Sequence, residues 1–373
     1  MPFSQVLIHG LVRDEQGRKM SKSLDNGVDP LEFIEKYGAD TLRFSLLNGV
    51  ASGSDMRFSA DKVENTRNFM NKIWNASRFV LMNLEGKKLT DIFTADLSVA
   101  DRWILSKLNT TAKEAEKAFA AYELGAAAGK LYDFMWSEFC DWYVEFSKPV
   151  LYGTDENARS VTLSVLNYVL QAVLKMLHPF VPFVTEAVYR TLPGAEKTVM
   201  LAQYPVYDKR LKFTKEEKQL EEIKDIIRHI RNARTEMNVP ISKRINIIIR
   251  PNAAAKNLKA SVQYIQKMAN VGNAEFVGAD KKAPEGAVTL VTSVAEIFIP
   301  LGEMADTAAE VKRLNSELAV TESEIERAQG KLNNKGFIGK APADLVKKER
   351  EKLENLTIIK RKLLERIAQL EKS

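Results

Sequence analysis

The sequence has few of the residues that build covalent or metal-bound frameworks. It contains one cysteine, Cys140, and three histidines among 373 residues. These numbers exclude an internal disulfide framework and a zinc site built on paired cysteines, and we expect no protein-bound metal. No run of about 18 residues is apolar and free of charge, so the sequence predicts no membrane-spanning helix. The N-terminus also lacks the pattern of a signal peptide, and we expect a cytoplasmic protein.

The charge of the chain is mildly basic. Lysine and arginine number 55 against 49 acidic residues, which gives a formal net charge of +6. Such a balance permits an anionic partner without requiring one. The composition is 45% hydrophobic and 28% charged, which is ordinary for a globular protein and excludes wholesale disorder.

Four stretches differ in hydrophobic periodicity, and together they predict a mainly α protein. Residues 1–56 are mixed in character. Residues 57–205 carry successive long segments with apolar residues near the 3.6 spacing, which is typical of a helical bundle. Residues 206–302 contain one charged helix and four short β-branched segments, which predict a small α+β domain. Residues 303–373 contain two heptad-like series, which predict an antiparallel coiled-coil hairpin.

Several local expectations follow from the same patterns. The apolar run at residues 6–9, ended by a glycine, predicts a short strand, and the third bundle helix should stop near Pro149. A further helix is expected at 254–268, between the first two strands of the α+β domain. Among the aromatic and aliphatic residues of the bundle, the core is expected to take Phe69, Ile73, Phe79, Trp103, Trp136 and Trp142.

One polar loop carries the residues with the clearest chemistry. Arg18, Lys19 and Lys22 place three cations within five residues, beside two serine hydroxyls. Lysine ammonium groups can follow the phosphates of a polyphosphate whose charge grows in a transition state. The composition alone leaves open an ordinary solvated basic loop.

The literal sequence of this loop narrows the interpretation. Residues 19–23 read Lys-Met-Ser-Lys-Ser, the KMSKS signature, and the chain resembles class I aminoacyl-tRNA synthetases. Within that class, the segments 55–59, 68–79, 178–186 and 231–240 are similar to valyl-tRNA synthetases. The terminal helical pair resembles that of the bacterial enzymes. The resemblance spans essentially the whole chain.

The resemblance implies roles for the loop residues. In the family, the KMSKS loop closes over ATP, which carries Mg²⁺, while the amino acid is adenylated. It implies catalytic roles for Lys19 and Lys22, and ATP contacts from Met20, Ser21, Lys22 and Ser23. The chain departs from the family at Asp25, where a glycine is usual. An aspartate adds negative charge there and lacks glycine's easy access to positive φ.

The resemblance also implies what is missing. The chain has no His-x-Gly-His signature, no nucleotide-binding sheet and no room for an editing domain. We therefore expect the C-terminal part of a valyl-tRNA synthetase that works with the catalytic and editing parts of the same enzyme. Residues 1–56 would be a remnant of the catalytic domain with a stem-contact region, and 57–205 an anticodon-binding bundle. Residues 206–302 would be a junction, and 303–373 a tRNA-binding arm.

In that setting the chain is expected to bind tRNA(Val) as a monomer and to be inactive in aminoacylation by itself. Amides and cations on the first bundle helix suit splayed bases, and arginines recurring every three positions suit phosphates. The alternative for each group is an ordinary solvated helix face. The candidate tRNA-binding residues are Arg67, Asn71, Lys72, Asn75, Arg78, Arg228, Arg231, Arg234, Lys335 and Lys340.

Two other functions remain open on the sequence alone. A stand-alone RNA-binding module would bind tRNA but would not restore charging when it is joined to a catalytic part. A coiled-coil interaction protein would associate with itself independently of salt and would not bind RNA.

Overall fold

The computed structural model describes residues 2–253, 255, 258–281, 283–284, 286–300, 302, 307–333 and 343–371. The chain groups into two compact units, Met1–Glu221 and Glu222–Ser373. The division falls within one long helix, Thr214–Glu236. The four-part division at residues 56, 205 and 302 stays a prediction.

The N-terminal part consists of two short strands and two helices around the KMSKS loop. A parallel pair of two-residue strands joins the start of the loop to the segment before the bundle. The carboxylate of Asp29 accepts the N–H of Leu31 at 2.8 Å, and Pro30 takes the first helical position. Both features favour a helix start at this point. The elements are β1 (Val12–Arg13), α1 (Pro30–Tyr37), α2 (Ala39–Leu47) and β2 (Met56–Arg57).

The strand predicted at residues 6–9 does not form. Val6 is 79% exposed and Ile8 is 78% exposed, and neither residue belongs to a strand. A strand requires a hydrogen-bonded neighbour. Among the described residues of this part, Val12–Arg13 pairs with Met56–Arg57, and Arg13 forms a single bridge with Lys19, whereas residues 6–9 take part in neither pairing. The prediction was wrong because an apolar run by itself does not supply the partner strand.

The bundle follows the predicted succession of amphipathic helices. Its helices are α3 (Ala60–Leu84), α4 (Val99–Ala120), α5 (Leu124–Asp133), α6 (Val144–Leu151), α7 (Glu156–Leu177) and α8 (Pro182–Tyr189).

A π-helical stretch, Phe134–Tyr143, joins α5 to α6 without a break. The sequence did not predict this stretch, since it has no periodicity of its own distinct from an α-helix. The helix passes Pro149 and ends two residues later, close to the predicted position. A proline in the last turn removes only one main-chain hydrogen bond.

The central helix of the bundle is α7. It is the one helix in the described residues that is long and apolar enough to cross a membrane, and 78% of its most apolar window is buried inside the protein. That burial is typical of the core helix of a bundle. Phe69, Ile73 and Trp103 are fully buried, as predicted, whereas Trp136 and Trp142 are half-buried.

Helix α2 docks on the turn between α7 and α8 through two charged side chains. The buried carboxylate of Asp40 accepts the N–H of Val184 at 2.6 Å, near the start of α8. The Arg43 guanidinium donates to the carbonyls of Pro179 at 3.1 Å and Phe180 at 3.2 Å. Burial raises the pKa of Asp40, although the main-chain donors oppose that change. These contacts fix the KMSKS-bearing part on the bundle.

The α+β part has the four predicted strands. The helix α9 (Thr214–Glu236) precedes four strands, β3 (Ile245–Pro251), β4 (Val271–Phe276), β5 (Ala287–Val291) and β6 (Ala295–Pro300). They form a sheet of order β4-β3-β6-β5, in which only the β3–β4 pair is parallel. The helix predicted at 254–268 is shorter than expected, and residues 254, 256 and 257 lie outside the described residues. The helix that forms there is α10 (Val262–Met268).

The last two helices, α11 (Thr307–Asn333) and α12 (Ala343–Glu371), pack side by side in opposite directions. Lys331 pairs with Glu349 at 3.0 Å, while Leu314, near the other end of α11, packs with Leu363 of α12. The connection at 334–342, with the candidates Lys335 and Lys340, lies outside the described residues. The hairpin connection and the coiled-coil geometry therefore stay predictions.

Candidate nucleic-acid interface and phosphate-binding loop

The KMSKS loop begins on the return arm of a tight turn. Asp14 and Gly17 close the turn through main-chain hydrogen bonds, and Gly17 has a φ of 81°. A glycine takes this left-handed conformation without the steric cost of a side chain. Met20 is half-buried against the apolar cluster of Leu42, Phe58 and Val63. This packing anchors the middle of the loop to the body of the protein.

The three cations of the loop are not equivalent. The Arg18 Nε donates to the carboxylate of Asp14 at 2.7 Å, and its Nη2 donates to Gln16 at 3.3 Å. Lys19 and Lys22 are exposed, and within the described part of the chain neither ammonium group forms an ion pair. Two of the three cations are thus available for an anion.

The serine hydroxyls of the loop lie together, with 3.2 Å between the Oγ atoms of Ser21 and Ser23. The Ser21 N–H donates to Asn26 Oδ1 at 2.9 Å. Two ammonium groups and two hydroxyls in one exposed loop can donate several hydrogen bonds to a polyphosphate.

Asp25 occupies the position where the family resemblance predicts glycine. Its φ of 47° and ψ of 35° lie in the left-handed region. Aspartate enters this region more readily than most other residues. The loop thus keeps the backbone conformation that a glycine would favour.

A groove of about 460 Å³ runs along α3. Side chains spaced by three or four positions on α3 form one wall, as one face of a helix requires. The π-helical stretch and α6 form the other wall. The lining residues are Asn68, Asn71, Lys72, Asn75, Ala76, Phe79, Cys140, Val144 and Lys148. Phe79 is half-buried in this groove, so the prediction that it packs in the core was wrong.

Both lysines of the groove lie over aromatic rings. The Lys72 ammonium is 4.1 Å from the centroid of Trp136 and also pairs with Asp141. The Lys148 ammonium is 5.8 Å from the centroid of Phe79. Burial raises the pKa of the Cys140 thiol to about 12, so that side chain is neutral. The groove therefore combines uncharged amides, an aromatic face and partly neutralised cations.

A second stripe of side chains lies beside the groove on α3. Arg67, Asn71, Trp74 and Arg78 are spaced by four, three and four positions, so they share one face of the helix. All four are exposed, and Trp74 is 53% exposed. An exposed tryptophan between two arginines suits a nucleobase and its phosphates.

The arginines of α9 differ in their surroundings. Arg228 and Arg231 are exposed, and Arg231 donates to the carbonyl of Met268 at 2.8 Å. Arg234 is only 7% exposed and donates to the carbonyls of Pro240 at 2.8 Å and Lys243 at 2.7 Å. Burial lowers the pKa of its guanidinium. The predicted stripe of three solvent-facing arginines is corrected to two, because Arg234 holds a loop.

No metal centre is apparent in the described residues, since no group of three or more His, Cys, Asp or Glu side chains there could hold an ion.

The sequence alone did not predict the wall of the groove that lies opposite α3. Cys140, Val144 and Lys148 are far from α3 along the chain, and no local pattern distinguishes them from other bundle residues.

Three family models match successive parts of the chain. Residues 1–59 match the class I tRNA synthetases for I, L, M and V, and residues 101–249 match the anticodon-binding domain of tRNA ligase. Residues 306–371 match the valyl tRNA synthetase tRNA binding arm. The fold and these matches define a segment of a class I aminoacyl-tRNA synthetase.

Three curated relatives that the chain matches are valine–tRNA ligases. The sequence is 46% identical over 373 residues to a valine–tRNA ligase of Clostridium acetobutylicum, covering 99% of this chain and 42% of the relative. It is 45% identical to that of Enterococcus faecalis and 48% identical to that of Clostridium tetani, with the same coverage. The chain belongs to the valyl-tRNA synthetase family and spans about two fifths of the length of these relatives.

Solved structures resemble the chain more distantly. A ternary complex of leucyl-tRNA synthetase from Agrobacterium radiobacter K84 has a TM-score of 0.45 and 15% identity, covering 72% of this chain and 33% of that one. A methionyl-tRNA synthetase of Mycobacterium tuberculosis has a TM-score of 0.42 and 22% identity, covering 48% and 36%.

Proposed function

We propose that this chain is the part of a valine–tRNA ligase that carries the KMSKS loop and binds tRNA(Val). The whole enzyme would attach valine to its tRNA at the expense of ATP, in the cytoplasm and as a monomer. The order of the three family matches along a single chain carries this proposal. Adenylation of valine would require the catalytic part that the relatives contain in addition, so we expect no aminoacylation by this chain alone.

In the proposed reaction the loop contacts ATP. Lys19 and Lys22 would bind the phosphates, since their ammonium groups are exposed and form no ion pair within the described residues. Met20, Ser21 and Ser23 would shape the loop around the nucleotide. Mg²⁺ would be bound to the phosphates of ATP and would enter as part of the substrate.

The groove along α3 is the proposed site for unstacked bases of the anticodon loop. The amides of Asn71 and Asn75 are exposed and can pair with base edges. Phe79 and Trp74 offer ring faces for stacking. Phosphates would be contacted by Arg67, Lys72, Arg78, Arg228, Arg231, Lys335 and Lys340. Arg234 would act only by holding the loop at 240–243.

Binding of the purified chain to a valine tRNA transcript tests this proposal. We expect tighter binding than to the same transcript with an altered anticodon, and we expect the difference to persist at moderate salt. Equal, weak binding that disappears with salt would contradict the proposal, because it would reflect phosphate attraction alone.

Two asparagine variants locate the contact. Asn75→Ala removes an amide from the groove, and a lost base contact should weaken binding by about 1–3 kcal/mol. Asn157→Ala is the matched control, because Asn157 is exposed in the first turn of α7 and does not line the groove. Equal affinities of the two variants would remove the groove from the proposal.

Restoration of activity distinguishes an enzyme segment from a stand-alone RNA-binding module. The isolated chain should show no valine-dependent ATP–pyrophosphate exchange. The same chain joined to the catalytic part of a related valine–tRNA ligase should regain it. A joined enzyme that binds tRNA without exchange activity would favour the stand-alone module.

A further inference from the structure

We infer that Asp14 is a positioning residue for the KMSKS loop and acts together with Asn26 as a clamp on its main chain. This inference rests on the proposed function, because the loop must carry Lys19 and Lys22 to ATP. The carboxylate of Asp14 is at the centre of the loop's hydrogen bonds. Asp14 is only 6% exposed, although most other residues of the loop are exposed.

Three donors surround the Asp14 carboxylate. Its Oδ1 accepts the Arg18 N–H at 2.7 Å, and its Oδ2 accepts the Arg18 Nε at 2.7 Å. The Asn26 Nδ2 donates to the same Oδ2 at 2.8 Å. The carboxylate thus joins the residue immediately before the signature to a residue three positions after it. It also neutralises Arg18, so the uncompensated positive charge of the loop rests on the two signature lysines.

Asn26 extends the clamp into the signature itself. Its Nδ2 also donates to the carbonyl of Lys19 at 3.3 Å, and its Oδ1 accepts the Ser21 N–H at 2.9 Å. These contacts hold the main chain on both sides of Met20. The side chains of Lys19 and Lys22 are not part of the network and stay exposed. A clamp of this kind fixes the base of the loop and leaves the phosphate-binding groups free to move.

The ionisation of Asp14 agrees with this geometry. Burial opposes the charged form, but the hydrogen bonds from Asn26 and Arg18 outweigh it and lower the pKa of Asp14 to about 2. The carboxylate is therefore ionised at neutral pH and accepts from all its donors.

Proteolysis of this chain tests the clamp without the rest of the enzyme. Asp14→Asn keeps the shape of the side chain but turns an acceptor into an amide that faces donors. We expect trypsin to cleave after Arg18, Lys19 and Lys22 about tenfold faster, because cleavage requires local opening of the loop. Unchanged cleavage would overturn the inference.

The matched control is Asp55→Asn. The Asp55 carboxylate likewise accepts one main-chain N–H, from Leu11 at 2.7 Å, and one arginine Nε, from Arg13. Its hydrogen bonds do not reach residues 19–26. If both variants accelerate cleavage of the loop equally, the effect is general destabilisation and Asp14 holds no special position.

Kinetics in the whole enzyme separate positioning from a merely structural role. In valine-dependent ATP–pyrophosphate exchange, Asp14→Asn should raise the KM for ATP or lower kcat about tenfold, with the KM for valine unchanged. Asn26→Ala should act in the same direction, and the double variant should be little worse than either single variant, since both break one network. Normal exchange kinetics despite faster cleavage would overturn the positioning role.

These results are independent of the test of tRNA binding. If the chain fails to bind tRNA(Val), the proposed function fails while the effect of Asp14→Asn on cleavage still stands. If cleavage is unchanged while tRNA binds, only the clamp is lost.

Discussion

The KMSKS loop and helix α9 each carry a cluster of three closely spaced cations, but the cations differ in their burial and in their partners. In the loop, Arg18 is neutralised by a buried carboxylate, and Lys19 and Lys22 stay exposed. In α9, Arg234 is buried against main-chain carbonyls, while Arg228 and Arg231 face solvent. In each cluster one arginine is bound to the local fold, but the side chain of Arg18 stays 56% exposed whereas Arg234 is buried. The other two cations of each cluster are exposed.

The difference lies in what neutralises the arginine. Asp14 is an anion and cancels the charge of Arg18, whereas the carbonyls around Arg234 accept hydrogen bonds and leave the cation uncompensated. Burial accordingly lowers the pKa of Arg234. Charge spacing in a sequence therefore counts cations without telling which of them a ligand can reach. The variants below test this comparison.

The largest effect is expected from Arg234→Ala. It removes a buried side chain whose guanidinium donates to the carbonyls of Pro240 and Lys243. The Lys243 carbonyl keeps a second donor, the Nδ2 of Asn270, and the Pro240 carbonyl keeps the N–H of Lys243. We expect a loss of about 2–4 kcal/mol in the free energy of unfolding, measured by urea denaturation. Arg228→Ala, on the same helix but exposed, should change stability by less than about 0.5 kcal/mol. Similar losses of unfolding free energy in the two variants would mean that the buried and the exposed arginine do not differ in their contribution to stability.

A large catalytic effect without a stability effect is expected from Lys22→Ala. If Lys22 stabilises charge on the phosphates, valine-dependent exchange in the whole enzyme should fall about 10²–10³-fold. The melting temperature of this chain should not change, because the side chain is exposed. Lys36→Ala serves as the control, since Lys36 is an exposed lysine of the neighbouring helix α1. A loss of exchange below tenfold would argue against a phosphate contact.

A smaller, salt-dependent effect is expected at the surface of α9. If Arg228 contacts a phosphate, Arg228→Ala should weaken tRNA binding alike for native and altered anticodons. The slope of log K against log salt should fall by about 1. Binding titrations at several salt concentrations would measure that slope. An unchanged slope would mean that Arg228 is only part of a solvated helix face.

The smallest effect is expected from Asp25→Gly. Glycine relieves the steric cost of a φ of 47°, but it also gives the unfolded chain more freedom. The two effects oppose each other, so the free energy of unfolding, measured by thermal denaturation, should change by no more than about 0.5 kcal/mol. A destabilisation above 1 kcal/mol would instead mean that the Asp25 side chain supports the loop, which its exposure does not indicate.

Repeating patterns explain which parts of the fold were predictable. The bundle helices and the four strands of the α+β part follow from apolar residues at helical or alternating spacing, because one face of each element must be buried. The prediction of a strand at residues 6–9 was wrong because an apolar run does not specify the partner strand that it needs. The π-helical stretch was not predicted because it has the same residue types as the helices on either side.

The candidate sites also differ in how far the sequence alone could predict them. The loop was found because five consecutive residues spell a signature that resembles one family. The groove could be found only in part, because α3 supplies one wall and residues such as Cys140 and Lys148 supply the other. Phe79 was assigned to the core for the same reason, since periodicity gives the face of a helix but not what packs against it.

The sequence by itself determined the family resemblance, most of the succession of helices and strands, and the location of the KMSKS loop, because these depend on residues that are neighbours along the chain. The tertiary structure decided which cations are available, that Asp14 and Asn26 meet across the loop, and that α3 borders a groove. The groove depends on contacts between segments distant in sequence, and the clamp and the arginine contacts depend on how the chain turns back within 4 to 12 residues. There, burial and hydrogen bonding, rather than residue type, set the role of a side chain.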